Sequence, residues 1–293
     1  MKTFQDAQCT NPSDHYAVGL TASLSSSPSK KGKLRFHLSI QGQRKTRWVS
    51  AAWPKGCLTR NEEEQLIVQL GLLEIYNLIA KDPEVYSPPE GVLVTSEECQ
   101  APQQWREVFE GKTMFCHATD TQQFPSTTGI LSGSFNPIHD GHRQMAQVYQ
   151  KVYGEGVDYE LSITNPDKPP LDFLSLQRRI AKFENESLWI TRAPTFAEKA
   201  VCFPNHHFLV GADTIQRIGD PAYYKDSEAL DDAVQTIRSQ GCRFVVFARE
   251  QAGQLLTVQD LDLGANLKSL CDSIPVSSFL NNQSSTAIRK PSI

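Results

Sequence analysis

The sequence lacks an excess of positive charge: 29 Lys and Arg stand against 33 Asp and Glu, for a net charge of −4. A surface that coats nucleic acid needs a basic surplus to neutralise phosphates, so that class of activity is excluded. A small anionic substrate stays compatible, because it needs only a local positive pocket. No apolar run reaches the length that crosses a bilayer, so no membrane role is expected. The stretch Met1–Ser13 holds one lysine and no apolar core, and so does not read as a secretory signal. None of the seven cysteines (Cys9, Cys57, Cys99, Cys116, Cys202, Cys242 and Cys271) falls in a C-x-x-C pair. Thiolate metal sites are therefore not expected, and a reduced intracellular setting is, with cytoplasm preferred and nucleus compatible. Internal repeats are also missing. What is present is length and apolar content: 293 residues, 39% hydrophobic, are enough for one large domain or two ordinary ones.

Three zones separate along the chain. Residues 1–81 read as a small N-terminal α/β unit. Leu34, Phe36, Leu38 and Ile40 alternate with polar residues, as in a half-buried strand, and Trp48 to Trp53 suggests a second one. Thr59-Arg60-Asn61-Glu62 forms a capping box that starts a helix running to about Ala80. That helix is apolar around much of its circumference (Leu66, Val68, Leu70, Leu72, Ile75), so it calls for cover on several faces. Residues 82–127 read as a connecting segment, broken by Ser87-Pro88-Pro89-Glu90-Gly91, with one short strand at Val92-Leu93-Val94. From 128 to 293, strands expected at 128–132, 157–163, 207–211, 243–248 and 274–277 alternate with helices at 141–153, 173–185, 195–201, 212–218 and 227–239. This alternation predicts an α/β fold with a parallel sheet and helices on both faces. In such sheets, ligands bind beyond the carboxyl ends of the strands.

Residues 133–142, Gly-Ser-Phe-Asn-Pro-Ile-His-Asp-Gly-His, fall at that position after the first of these strands. Gly133 and Ser134 permit a tight turn with exposed backbone N–H groups. Pro137 fixes the chain direction. His139 and His142 lie i, i+3 and share a face of an incipient helix. A helix N-terminus attracts phosphate, and imidazoles beside it add donors that strengthen as charge builds on a phosphoryl oxygen. Two histidines with no third ligand nearby do not make a zinc site, and no resident metal site is expected.

This string resembles the G-S-F-N-P-x-H-x-G-H signature of the HxGH nucleotidyltransferase superfamily, most closely that of the nicotinate/nicotinamide mononucleotide adenylyltransferases. The resemblance covers about 128–290. It implies a Rossmann-like doubly wound parallel sheet and transfer of AMP from ATP, with Mg²⁺, to a mononucleotide. His139 and His142 would be catalytic, Gly133, Ser134 and Phe135 would bind ATP, and Asn136 would bind the acceptor. Asn165-Pro166-Asp167-Lys168 resembles the family's loop in which Lys168 would contact ATP phosphates. Arg178, next to Arg179 on the following helix, would bind acceptor phosphate. Ala193-Pro194-Thr195-Phe196 resembles the segment near the pyridine nucleotide, giving Thr195 and Phe196 acceptor roles. An aromatic there would serve equally as core. Gly211-Ala212-Asp213 resembles the family's G-x-D, which holds adenosine; Asp213 would also serve as a helix N-cap.

Ser284-Ser285-Thr286-Ala287-Ile288-Arg289 resembles the family's I-S-S-T-x-I-R, so Ser284, Ser285 and Thr286 would bind ATP and Arg289 would be a catalytic cation. Gln283 departs from the usual apolar residue, and Pro291 with the end at Ile293 leaves about one helical turn, which weakens the dipole contribution. Val18-Gly19-Leu20-Thr21-Ala22-Ser23-Leu24 through Lys31-Gly32 is similar to the closing part of the CinA-type nicotinamide-nucleotide amidase domain. That similarity implies a structural remnant that packs on the transferase or mediates homo-oligomerisation, since the amidase's catalytic residues come from upstream sequence. Two alternatives stay open. One is adenylyl or cytidylyl transfer to another phosphorylated acceptor; the other is a catalytically weak nucleotide-binding scaffold.

Overall fold

A computed structural model describes residues 15–29, 31–78, 80, 82–119, 124–165, 169–251 and 254–279. They divide into two compact units: one up to Ala101 with Asp172–Leu174, the other from Pro102 to Leu171 and from Ser175 onward.

The smaller unit is a four-stranded antiparallel sheet, β1 (Tyr16–Ser23), β2 (Leu34–Gly42), β3 (Lys45–Trp53) and β4 (Leu93–Gln100), paired in chain order. The alternation on β2 is as expected: Leu34, Phe36, Leu38 and Ile40 are buried together with Val49, Ala51 and Trp53 of β3. Helix α1 (Arg60–Tyr76) packs Leu66 and Leu70 into this core. It starts at the expected capping box, where Glu62 N–H donates to Thr59 Oγ1 at 3.4 Å and Thr59 N–H donates to Glu62 Oε2 at 2.7 Å. It stops at Tyr76, short of Ala80.

The expected connector at 82–127 is corrected. Its middle is β4, hydrogen-bonded along β3 from Lys45↔Gln100 to Ala52↔Leu93, so the small unit extends to Ala101. The rest carries α2 (Gln103–Glu110) and β5 (Phe115–His117), which belong to the larger unit.

The larger unit holds a seven-stranded, mostly parallel sheet. Its strands are β5, β6 (Gly129–Ser132), β7 (Val157–Ser162), β8 (Leu188–Thr191), β9 (His207–Gly211), β10 (Arg243–Phe247) and β13 (Cys271–Ser273). Their spatial order is β13-β10-β9-β6-β7-β8-β5, and only β5 runs antiparallel to its neighbour. β6, β8, β9 and β10 read as short apolar runs because parallel strands are buried on both faces; Leu188-Trp189-Ile190-Thr191 is buried throughout. A hairpin of β11 (Arg249–Gln251) and β12 (Gln254–Leu256) follows β10. Helices α3 (Asp140–Tyr153), α4 (Phe173–Ile180), α5 (Phe196–Cys202), α6 (Ala212–Ile218), α7 (Ser227–Ser239) and the short α8 (Ala265–Lys268) alternate with the strands. Two expectations shift: α4 ends at Ile180 in tight turns through Lys182 and Phe183, and the last strand is Cys271–Ser273 rather than 274–277.

β6 leads to β7 on one side, while β9 pairs on its other side, so the strand order reverses between β6 and β9. Open sheets of this kind leave a crevice at such a point, outside the carboxyl ends of the strands. No helix among the described residues is long and apolar enough to cross a membrane.

Candidate functional site

The loop after β6 is set by packing. Gly133 N–H donates to the Glu160 carbonyl of β7 at 3.0 Å. A Cβ on Gly133 would lie 2.7 Å from the Phe135 ring, so a side chain there would displace that ring. Phe135 has φ 40°, is 1% exposed, and meets His142, Tyr159 and Phe183 edge-on. Its ring is a core plug under the loop. The Ser134 carbonyl accepts from Arg179 Nη1 at 2.5 Å, tying the loop to α4.

His139 is the extended N-cap of α3, and its N–H donates to His142 Nδ1 at 3.3 Å. The two rings stack with centroids 3.8 Å apart and planes 30° apart. Two stacked imidazolium ions would repel, and the site keeps both rings neutral. Burial is the largest cause, with the Arg249 guanidinium adding to it: the His139 pKa is lowered, and that of His142, which also feels His139, falls to about 3. Because His142 Nδ1 accepts, its proton sits on Nε2, which is therefore a donor.

Both rings line a cavity of about 90 Å³ at the point where the strand order reverses. Asp213, in the first turn of α6, also lines the cavity. The N-cap is Gly211, not Asp213, so this carboxylate is not occupied in capping. Its Oδ1 lies 3.6 Å from Arg249 Nε. A Cβ on Gly211 would stand 2.5 Å from the same oxygen, so glycine makes room for it. Two further atoms stand out: His139 Nδ1 and Ser132 Oγ are buried without a hydrogen-bond partner, and both residues line the cavity. Buried polar atoms are nearly always satisfied, so orphaned ones beside a cavity point to a polar ligand or water.

The structure therefore brings together His139, His142, Gly211 and Asp213 among the expected site residues. It does not bring Thr195 or Phe196 to the cavity. Thr195 caps α5, donating to Glu198 Oε2 at 2.7 Å, and Phe196 packs edge-on against Phe208 and Phe244. Thr195 is nevertheless exposed and Phe196 half-buried, packed against the core. Arg178 is exposed on α4, and Asn136 is exposed in the loop. Lys168, Ser284, Ser285, Thr286 and Arg289 lie outside the described residues. Sequence reasoning missed Ser132, Met145, Thr214, Phe247, Arg249 and Phe279, which line the same cavity. A signal existed for Arg249, which directly follows the expected strand 243–248 and so stands at a carboxyl end. The others converge only through the fold.

Among the described residues, no group of three or more His, Cys, Asp or Glu is placed to hold a metal ion. No protein-family model matches the chain, and no curated protein matches it.

Proposed function

We propose that the chain is an HxGH-type nucleotidyltransferase that transfers AMP from ATP to nicotinamide or nicotinate mononucleotide and releases pyrophosphate. The observation that carries this reading is the stacked, neutral His139–His142 pair lining one cavity with Asp213 at the strand-order reversal. The sheet order supports a Rossmann-like fold: counted from β6, the parallel strands run 3-2-1-4-5-6, the order of doubly wound dinucleotide-binding sheets.

The reaction needs no protein nucleophile. A 5′-phosphate oxygen of the acceptor attacks the α-phosphorus of ATP in line, a new P–O bond forms, and the bond to the β-phosphate's bridging oxygen breaks. Catalysis then consists of positioning and charge stabilisation. His142 donates from Nε2 to a phosphoryl oxygen, and that hydrogen bond strengthens as charge accumulates there. Asp213 suits ribose hydroxyls, which are donors. The resemblance gives the triphosphate to Lys168, Ser284, Ser285, Thr286 and Arg289. Mg²⁺ enters with ATP and neutralises part of its charge; Asp213 is the one carboxylate lining the cavity among the described residues.

The test is pyrophosphate release from ATP across a panel of phosphorylated acceptors, with CTP as a second donor. Turnover with a pyridine mononucleotide is expected. Turnover only with another acceptor, or only with CTP, would replace the substrate assignment. Tight ATP binding without turnover on any acceptor would select the scaffold.

A further inference from the structure

Among the described residues, the smaller unit leaves an apolar surface uncovered. β1 pairs with β2 in the register Ala22↔Phe36, Leu20↔Leu38 and Val18↔Ile40. Residues opposite one another in an antiparallel pair project to the same face, so Val18 and Leu20 share the face of the β2 core. Yet Val18 is 45% and Leu20 52% exposed, against 2% for both Leu38 and Ile40.

The cause is where α1 sits. Its Glu63 accepts from Trp53 Nε1, and its Glu74 from Arg47 Nε, so one flank is tied to β3. On the other flank, a Cβ on Gly71 would meet Leu20 Cδ1 at 3.7 Å. Val68 and Ile75 lie one turn either side of Gly71, on that same flank, and both are exposed. The helix thus stops short of covering β1, and its side and the strand's face form one apolar step at the sheet edge.

The two edges of this sheet differ. β4 carries Glu97 and Glu98, the kind of charge that discourages edge pairing. β1, Tyr-Ala-Val-Gly-Leu-Thr-Ala-Ser, has eight residues, no charge and no proline. We propose that this edge is the docking surface for a second copy of the chain, joined by antiparallel β1–β1 pairing about a two-fold axis.

Such pairing is self-complementary in hydrogen bonds and is isologous by construction. It opposes no like charges, because the strand has none; the same pairing through β4 would face glutamates with glutamates. It would also lay the Val68 and Ile75 flanks of both helices over the joined strands, closing the step from both sides. Pairing centred on Gly19 joins the seven residues Tyr16 to Ala22, about 24 Å of strand. A charged partner has nothing to bind on this edge, and an apolar peptide would cover the strand but leave the helix flanks open.

Sedimentation of the full chain over a range of concentrations tests this proposal. The wild type is expected at twice the chain mass. Val18→Lys puts a charge into the joint and should raise the dimer dissociation constant by ~100-fold or more. Should that variant fail to fold by circular dichroism, Val68→Glu on the exposed helix flank serves in its place. Mixing Val18→Lys with Leu20→Glu should restore the dimer, because pairing centred on Gly19 sets position 18 of one copy opposite position 20 of the other. A wild type that stays at monomer mass overturns the proposal. So do folded Val18→Lys or Val68→Glu chains that remain dimeric, and so does a charge-swapped mixture that remains monomeric.

Discussion

In the larger unit, His139, Asp158, Glu160 and Lys199 are buried, whereas in the smaller unit Val18, Leu20, Val68 and Leu72 stand in solvent. The smaller unit also buries carboxylates, and the contrast between the two sets is instructive. Glu63 accepts from Ser25 N–H, Ser25 Oγ and Trp53 Nε1, and Glu74 accepts twice from Arg47, so both are satisfied within the unit. In the larger unit, Glu160 is equally satisfied, by Thr191 Oγ1 and Lys199 Nζ, each at 2.5 Å. His139 Nδ1 and Ser132 Oγ are not. Burial of a polar group therefore does not mark a site; an unmet bond beside a cavity does. By the same logic, a single exposed aliphatic residue is ordinary, while a run of them along a strand edge and the adjacent helix flank marks an interface.

The strongest test of that distinction is the satisfied pair. Lys199 is 6% exposed and Glu160 0%. Lys199→Met would leave the Glu160 carboxylate buried and unpaired, and should cost ~3–5 kcal/mol of stability. Urea unfolding measures it, and adding Glu160→Gln should recover part of the loss. A loss under about 1 kcal/mol would mean that water reaches Glu160 and that the pair is not sealed.

His142 comes next. Removing one donor that acts on developing charge costs ~2.7–4 kcal/mol of barrier, or ~100- to 1,000-fold in rate. His142→Ala should show that loss in pyrophosphate release and keep the fold by circular dichroism. The same variant carries a pH signature. In the folded chain the His142 pKa lies at about 3, against 6.5 for the ordinary group. Above 6.5 the ring is neutral in both states and contributes nothing. Between 6.5 and 3 the unfolded chain takes up a proton that the folded chain refuses, so stability falls as pH falls. The His142→Ala chain should lose less stability than the wild type on acidification through that window. An unchanged slope would mean that the ring titrates normally and is not held neutral against His139.

Much of this was legible in the sequence where a local rule decides. The strand at 207–211 and the helices at 212–218 and 227–239 fall at their expected bounds, because caps and apolar runs set them locally. The Thr59–Glu62 capping box formed for the same reason. β8 was missed because four residues buried on both faces carry no periodicity. β4 was seen only at its start, since Ser96, Glu97 and Glu98 read as loop and owe their strand state to pairing with β3. At the site, the imidazole pair was legible because it lies within one helical turn. Ser132, Thr214 and Phe279 were not, because three separate segments bring them together. Phe196, which read equally as ligand contact or core, is half-buried with its ring edge-on to Phe208 and Phe244.

The smallest effect probes the apolar side of the comparison. Leu70 and Leu72 are two positions apart on α1, and their exposures are 1% and 62%. If the helix is covered on one face only, Leu70→Ala should cost ~2–5 kcal/mol through lost contacts and a cavity. Leu72→Gln, measured on dilute protein, should change stability by no more than about 0.5 kcal/mol. Similar costs at the two positions would mean that the outer face of α1 is already covered within one chain. The exposed aliphatic residues of the smaller unit would then be part of its own core, and a second copy would have no apolar surface left to bury.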